Sequence, residues 1–231
     1  MKYFILALFL GLFSFNMLAQ TAKPEGVGKF KINKTDISII QELEKDLGVK
    51  CKKVSNRTEQ ASEKKKDFYF IELPDSIINN VYCLKVRVFE IKTYKISNIE
   101  FNQLMLIFYN DKLVTLSSQA NEQIEEAFRL KYQVGKTHYK REKTDCDRFF
   151  ENSYAYEVWL NNDISAILSY RHYKDDTSCQ ESYDFSLYIY SNLYNKKEDA
   201  CIQDIVKKRE DQKAAEEFRK KQKELEKIKD F

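Results

Sequence analysis

The chain has 231 residues, 43% of them hydrophobic and 14% aromatic, so it can bury the core of one large or two small domains. Its 39 basic and 36 acidic residues leave a net charge of +3, and the abundance of aromatic side chains argues against disorder. Only five glycines occur, and none can complete a G-x-G-x-x-G fingerprint or a P-loop, which excludes both kinds of nucleotide site.

Residues 1–19 have the pattern of a secretory signal peptide. Lys2 precedes an unbroken apolar run from Tyr3 to Phe13, and the small residue Ala19 ends the segment. An uncleaved membrane anchor is the alternative, but the run is shorter than the roughly 20 apolar residues that span a bilayer. No cysteine precedes Cys51 to accept a lipid. We therefore expect a secreted or periplasmic protein with no transmembrane span after signal cleavage.

Residues 20–119 are predicted to form a first α+β half. A short strand at 30–33 precedes a helix that begins with Thr35 as its N-cap and stops at Gly48. The polar stretch 55–66 has the composition of an exposed loop. Apolar alternation and turn residues predict the remaining segments as strands, at 49–54, 68–73, 81–91, 99–109 and 113–117.

Residues 120–195 are predicted to form a second α+β half. Asn121 opens a helix that Gly135 closes, and strands follow at 154–160, 164–173 and 183–190. Runs of strands between single helices are typical of antiparallel sheets rather than of parallel βαβ units. The predicted fold class is therefore α+β, with antiparallel sheets, two packing helices and two halves that are similar in the order of their elements.

Residues 196–231 lack glycine and proline and are predicted to form a long charged helix. From Lys207 onward it holds 10 basic and 7 acidic residues, so the excess positive charge of the chain is concentrated here. A solvated helix is one interpretation, and a helix that packs on the domain or on a partner, as in a coiled coil, is another. The interspersed acids argue against contact with nucleic acid or an anionic membrane. The sparse apolar positions are Ala214, Phe218, Leu225 and Ile228.

Five cysteines lie beyond the leader. In an oxidising compartment thiols tend to pair, and chain proximity suggests a disulfide between Cys51 and Cys83 and another between Cys146 and Cys179, leaving Cys201. Buried free thiols that act as small hydrophobes are the alternative.

Few residues point to catalysis. The only histidines, His138 and His172, form no H-E-x-x-H motif, and no G-x-S-x-G elbow or EF-hand loop occurs. A Cys–His hydrolase would have to pair Cys146 with His138 or Cys179 with His172. The sequence therefore predicts no catalytic residue, no metal ligand and no cofactor.

The strands of the second half suggest a binding surface instead. Tyr173, Tyr188 and Tyr190 are predicted to line the less buried face of the sheet, where an aromatic patch can bind a glycan or a protein. The alternative is that both faces are covered, one by the core of the sheet and the other by helices.

The entry to the first helix, Phe30-Lys31-Ile32-Asn33-Lys34-Thr35, is similar to an F-x-I-G-K-T pattern of uncharacterised exported bacterial proteins, with Asn33 at the glycine position. Lys131-Tyr132 followed by Gly135 resembles their L-x-x-K-Y-G helix exit, and Trp159 follows in the next strand region. The two halves look distantly like the helix-plus-sheet units of the beta-lactamase-inhibitor-protein and small outer-membrane assembly lipoprotein fold. The resemblance implies a binding module and brings no catalytic residue to this chain.

The sequence thus favours an exported, non-catalytic binding protein whose partner is a protein or a glycan. The first alternative is an exported hydrolase with scattered carboxylates or a Cys–His pair. The second is an envelope structural factor that self-associates through the C-terminal helix.

Overall fold

A computed structural model describes residues 22–144, 146–174 and 178–228; the predicted leader at 1–19 lies outside them. The helices of the described residues are α1 (Ile39–Leu47), α2 (Arg57–Lys64), α3 (Asp75–Ile78), α4 (Glu122–Tyr132) and α5 (Asn192–Ile228). The strands are β1 (Gly26–Val27), β2 (Phe30–Lys31), β3 (Lys52–Lys53), β4 (Phe70–Glu72), β5 (Arg87–Ile96), β6 (Ile99–Tyr109), β7 (Lys112–Gln119), β8 (Lys136–Thr144), β9 (Asp147–Leu160), β10 (Ile164–Lys174) and β11 (Glu181–Ser191).

One twisted sheet organises the chain. Its strand order is β3-β4-β5-β6-β7-β11-β10-β9-β8, and every neighbouring pair is antiparallel except β3 with β4. Strands β1 and β2 form a separate small hairpin. The predicted α+β class, with antiparallel sheet, packing helices and a long C-terminal helix, is confirmed. Pairing of β7 with β11 joins the strands before α4 to those after it, so the two predicted halves share one sheet.

One side of this sheet, the covered face, carries most of the buried apolar side chains, although Tyr139, Tyr170 and Tyr183 on the same side are 81%, 45% and 64% exposed. Side chains of successive strand residues point to opposite faces, and the apolar ones of β4–β7 and β9–β11 collect here. Helix α1 contributes Ile40 and Leu43 to this cluster, and α4 contributes Ile124 and Phe128. Phe128 packs its ring against Trp159 of β9 with centroids 5.6 Å apart. The main hydrophobic core therefore lies between the sheet and these two helices.

The opposite side is buried only over the first strands. A second apolar cluster there holds Val88, Ile107 and Val114 of β5–β7, covered by Ile78 of α3 and Tyr194 of α5. Among the described residues, no member of β9, β10 or β11 belongs to this second cluster. The sheet is thus covered on both faces at one end and on one face at the other.

The start of α5 is fixed to the loop that precedes β5. The Glu198 carboxylate accepts hydrogen bonds from the backbone N–H groups of Cys83 and Leu84, and Cys201 forms a disulfide with Cys83. Helix α5 begins at Asn192, four residues before the predicted start, and its side chains at 202–221 are all exposed.

The two predicted helix caps differ in outcome. Asn121 caps α4 as predicted, since its side chain accepts from the Ile124 N–H at 2.9 Å. Thr35 does not cap α1, because its hydroxyl accepts from the Lys31 N–H and donates to the Lys29 carbonyl in the turn before the helix.

The predicted exposed loop at 55–66 is wrong, because it contains helix α2. Asn56 accepts from the Glu59 N–H at 2.9 Å, and the Glu59 carboxylate accepts from the Ser55 N–H at 2.8 Å. These reciprocal bonds resemble a capping box, which starts a helix even where few apolar residues follow.

Two strand assignments also change. The strand predicted at 81–91 begins only at Arg87, because Cys83 and Leu84 bind Glu198 of α5 through their backbone instead. Strand β8 was not predicted. It is the outer strand of the sheet and reads Lys-Thr-His-Tyr-Lys-Arg-Glu-Lys-Thr, the charged composition that protects an exposed sheet edge and hides the apolar alternation.

Glu59 should give the fold a pH-dependent contribution. Its hydrogen bonds with the Lys52 ammonium and with Ser55 lower its pKa from 4.5 to about 2. The stabilisation by the ionised carboxylate is therefore complete above pH 4.5 and is lost as the pH falls toward 2. We expect Glu59→Gln to lower the Tm at pH 7 and the difference from the parent to shrink between pH 4.5 and pH 3, measured by circular dichroism.

The matched control is Glu210→Gln, in the exposed part of α5, which should leave the Tm unchanged at every pH. A Tm difference for Glu59→Gln that stays constant from pH 7 to pH 3 would contradict this role.

Candidate functional site

The three tyrosines singled out in the sequence lie on the same side of the sheet, opposite the covered face. On β11, Tyr188 is paired with Ile167 of β10, and Tyr190 is paired with Ser165. Tyr173 lies six residues beyond Ile167 on β10, a separation of roughly 20 Å along the strand. Tyr173 is therefore not part of one compact cluster with the other two.

Two further tyrosines fill the interval. Tyr156 and Tyr154 of β9 are paired with Ser169 and Arg171 of β10, and their side chains point to the same side of the sheet. We call the surface formed by these five side chains the tyrosine face: Tyr154, Tyr156, Tyr173, Tyr188 and Tyr190. Tyr188 is 37% exposed, and the other four are half-buried. The tyrosine face is thus a diagonal band of aromatic rings and hydroxyls in contact with solvent.

Small hydroxyl side chains separate these rings. Ser186 of β11 is paired with Ser169 of β10, and both are buried. Ser165 donates its hydroxyl to Asn192 Oδ1 at 2.7 Å. The Ser186 hydroxyl differs, because it is only 5% exposed and no group in the described part of the chain is its hydrogen-bond partner.

A cavity of about 210 Å³ opens beside Ser186, at the border between the tyrosine face and the second apolar cluster. Lys64 of α2, Tyr69 and Tyr188 of β11 are among the residues that line it. Ser117 of β7, which is paired with Tyr188, lines it too. The cavity is therefore lined by residues from segments that are far apart in the chain.

Two amides reach the same cavity. Gln119 is paired with Ser186 across the seam between β7 and β11. Gln103 lies where the register of β6 against β7 shifts, and its φ of 51° is in the left-handed region. Such a bulge redirects a side chain out of the normal alternation. The lining is thus rich in groups that both donate and accept hydrogen bonds.

The charged groups at the cavity are paired with one another. Lys64 Nζ lies 2.6 Å from Glu90 Oε2, and Arg171 donates from Nε to Asp184 Oδ2 at 2.9 Å. The hydrogen bond to Asp184 raises the pKa of Arg171, so the guanidinium stays charged. The site therefore presents polar but internally neutralised chemistry.

The structure joins Cys146 to Cys179, with Cα atoms 5.4 Å apart, as the sequence suggested. It joins Cys83 to Cys201, with Cα atoms 5.8 Å apart, so the pairing of Cys51 with Cys83 is wrong. The reason is tertiary: Cys51 packs against the core of the covered face, whereas the neighbours of Cys83 pack on the other side of the sheet. Two disulfides are compatible with an extracytoplasmic protein.

This disulfide pattern bears on the Cys–His alternative. Cys146 and Cys179 have no free thiol to offer His138 or His172. Cys51 carries no disulfide, and burial, followed by the nearby Glu72 and Glu44 carboxylates, raises its pKa to about 12. A thiol with that pKa is almost wholly protonated at neutral pH and is a poor nucleophile.

His172 has a structural environment at the end of β10. Its Nε2 lies 2.5 Å from Glu181 Oε1, and its ring stacks on Tyr183 with centroids 4.2 Å apart. Within the described ranges, no three His, Cys, Asp or Glu side chains form a group that could hold a metal ion.

The exposed part of α5 shows two separate apolar groups. Ile202, Ile205 and Val206 are partly exposed just beyond the disulfide, and Phe218 of the predicted stripe is 62% exposed. In the part of the chain that the structure describes, no helix is both long enough and apolar enough to cross a membrane.

Comparison with protein-family models, with curated proteins and with solved structures finds no significant match to this chain.

Sequence reasoning found the tyrosines but missed the cavity. Alternation along β11 already places Ser186 on the same face as Tyr188 and Tyr190. No local signal reveals that β7 becomes the neighbour of β11, or that Lys64 and Tyr69 line the same cavity as Ser186. These contacts depend on the order of strands in the sheet.

The Cys83–Cys201 disulfide should be a major stabilising link, because it closes a loop with a sequence separation of 118. We expect the double substitution Cys83→Ser and Cys201→Ser to lower the free energy of unfolding by about 3–5 kcal/mol. Urea titration under non-reducing conditions, followed by circular dichroism, measures this loss.

Cys51→Ser is the matched control, since it removes a half-buried cysteine that carries no disulfide. A larger loss from Cys51→Ser than from the double substitution would contradict the pairing, as would a Cys51–Cys83 peptide in non-reducing mass spectrometry.

Proposed function

We propose that this chain is an exported, non-catalytic binding protein that holds its ligand on the tyrosine face. The observation that carries the proposal is the side of β9–β11 opposite the main core, where Tyr188 and its neighbours contact solvent and the second apolar cluster has no described member. Tyrosine suits this role because it offers a large rigid contact area and a hydroxyl at low cost in conformational entropy.

The shape of the tyrosine face favours an extended ligand. From Tyr190, paired with Ser165, to Tyr173 the band covers eight residues of β10, or roughly 25 Å. A small compact ligand would touch one or two of these rings. A chain of several units could lie along the whole band.

Export is supported by two features. The predicted signal peptide at 1–19 directs the chain to secretion or to the periplasm. The disulfides Cys83–Cys201 and Cys146–Cys179 are of the kind that persists in oxidising compartments.

The non-catalytic role is supported by the state of the thiols. Four cysteines are in disulfides, and the fifth has a pKa raised to about 12. The sequence resemblance to a fold of binding modules favours the same conclusion.

Tyrosine nitration tests this proposal even while the ligand is unidentified. We expect a cell-envelope extract to slow the modification of Tyr188 and Tyr190 by tetranitromethane several-fold, because a ligand would cover these rings. Mass spectrometry of peptides measures the rates. Tyr139 is the internal control: it is 81% exposed and is paired with Ala155, on the opposite side of the sheet.

Equal nitration of Tyr188 and Tyr190 with and without extract would overturn the proposed function. Protection of Tyr139 alone would also overturn it, since the contact would then lie on the other side of the sheet.

A further inference from the structure

We propose that the cavity beside Ser186 binds one neutral sugar residue, so that the ligand of the tyrosine face is a neutral glycan. This inference rests on the proposed function and adds to it the chemical class of the ligand.

The Ser186 hydroxyl lacks a partner within the protein. It is buried at the edge of the cavity, and no group of the described residues is its hydrogen-bond partner. Buried polar groups in native proteins nearly always have a partner, because leaving one unpaired costs free energy. A ligand hydroxyl in the cavity would supply the missing bond.

The charged groups of the cavity already have partners of opposite charge. The Lys64 ammonium forms an ion pair with Glu90, and the Asp184 carboxylate accepts a hydrogen bond from Arg171. An anionic or cationic ligand group would have to disrupt one of these pairs or lie beside a group of its own sign. The remaining lining groups, Ser117 and Gln119 among them, are neutral. They donate and accept hydrogen bonds equally, as sugar hydroxyls do.

The size and the aromatic lining of the cavity fit the same ligand. A cavity of about 210 Å³ admits several water-sized groups, the scale of one sugar ring. Tyr69 and Tyr188 are in its lining, and tyrosine rings offer apolar surface on which the C–H groups of a sugar can pack. Tyr188 also belongs to the tyrosine face, so a bound residue would lead directly into the rest of an extended chain.

Affinity electrophoresis tests the inference with defined probes. The full chain is run in native gels that contain dextran, mannan or galactan as neutral polymers, or alginate as an anionic polymer. We expect at least one neutral polymer to retard the protein and alginate not to do so. Ser186→Ala should weaken the retarding affinity by about fivefold or more, because a ligand hydroxyl loses its partner.

Ser62→Ala is the control for the change of serine to alanine. Ser62 of α2 is exposed and is not among the residues that line the cavity. Neither substitution should lower the Tm, because the Ser186 hydroxyl makes no hydrogen bond with the described residues and Ser62 lies on the surface. Ser62→Ala should leave the affinity unchanged.

The failures of the two proposals can be told apart. Suppose that the extract protects Tyr188 and Tyr190 from nitration, but that only alginate, or none of the polymers, retards the chain. The neutral sugar would then be ruled out as the ligand, while the tyrosine face would still be a binding surface. Equal affinity of Ser186→Ala and the parent for a neutral polymer would remove the cavity from the site. A loss of Tm for Ser186→Ala would show that its hydroxyl has a structural partner, which also overturns the assignment.

Discussion

The pairing of β7 with β11 is the contact on which the rest of the structure depends. Leu116 and Ile189 are neighbours across this seam and point into the covered face, so the cores built before and after α4 become one. The alternate residues of the same two strands point to the other side and bring Gln119 beside Ser186. The continuous core and the candidate site are therefore two consequences of one register, because alternate side chains of a strand serve opposite faces.

The two sides of the sheet are covered unequally, and α5 is the reason. Tyr194 packs against Tyr109 at the end of β6, and Glu198 and the disulfide at Cys201 attach the first turns of the helix to the loop before β5. Beyond that point the helix makes no buried contact in the described residues up to 221, so it does not reach over β9–β11. The side of β9–β11 opposite the covered face is in contact with water and carries polar groups, namely tyrosines, serines and the Arg171–Asp184 pair. The rings of these tyrosines remain accessible to a ligand.

The same contacts favour recognition over catalysis. The disulfide between Cys83 and Cys201 holds α5 in place. The disulfide between Cys146 and Cys179 links the turn between β8 and β9 to the loop before β11. These four thiols are therefore not available for catalysis. The charged groups near the cavity are engaged with each other rather than left to transfer protons. What remains available to a ligand is a set of neutral hydroxyls, amides and aromatic rings. This combination supports our proposal of a binding site for an uncharged, hydroxyl-rich molecule.

Local features of the fold follow from the sequence alone, because periodicity and capping act over a few residues. These features include the α+β class, the β6–β7 hairpin around Asn110 and Asp111, the start of α4 at Asn121 and the alternation that puts Tyr188 and Tyr190 on one side of β11. It failed where local composition is ambiguous, as in the polar helix α2 and the charged edge strand β8. The partner of Cys83, the neighbour of β11 and the cavity beside Ser186 depend instead on how distant segments pack together. Each of these joins residues far apart in the chain, and such contacts are set by which surfaces pack together rather than by any pattern within one segment.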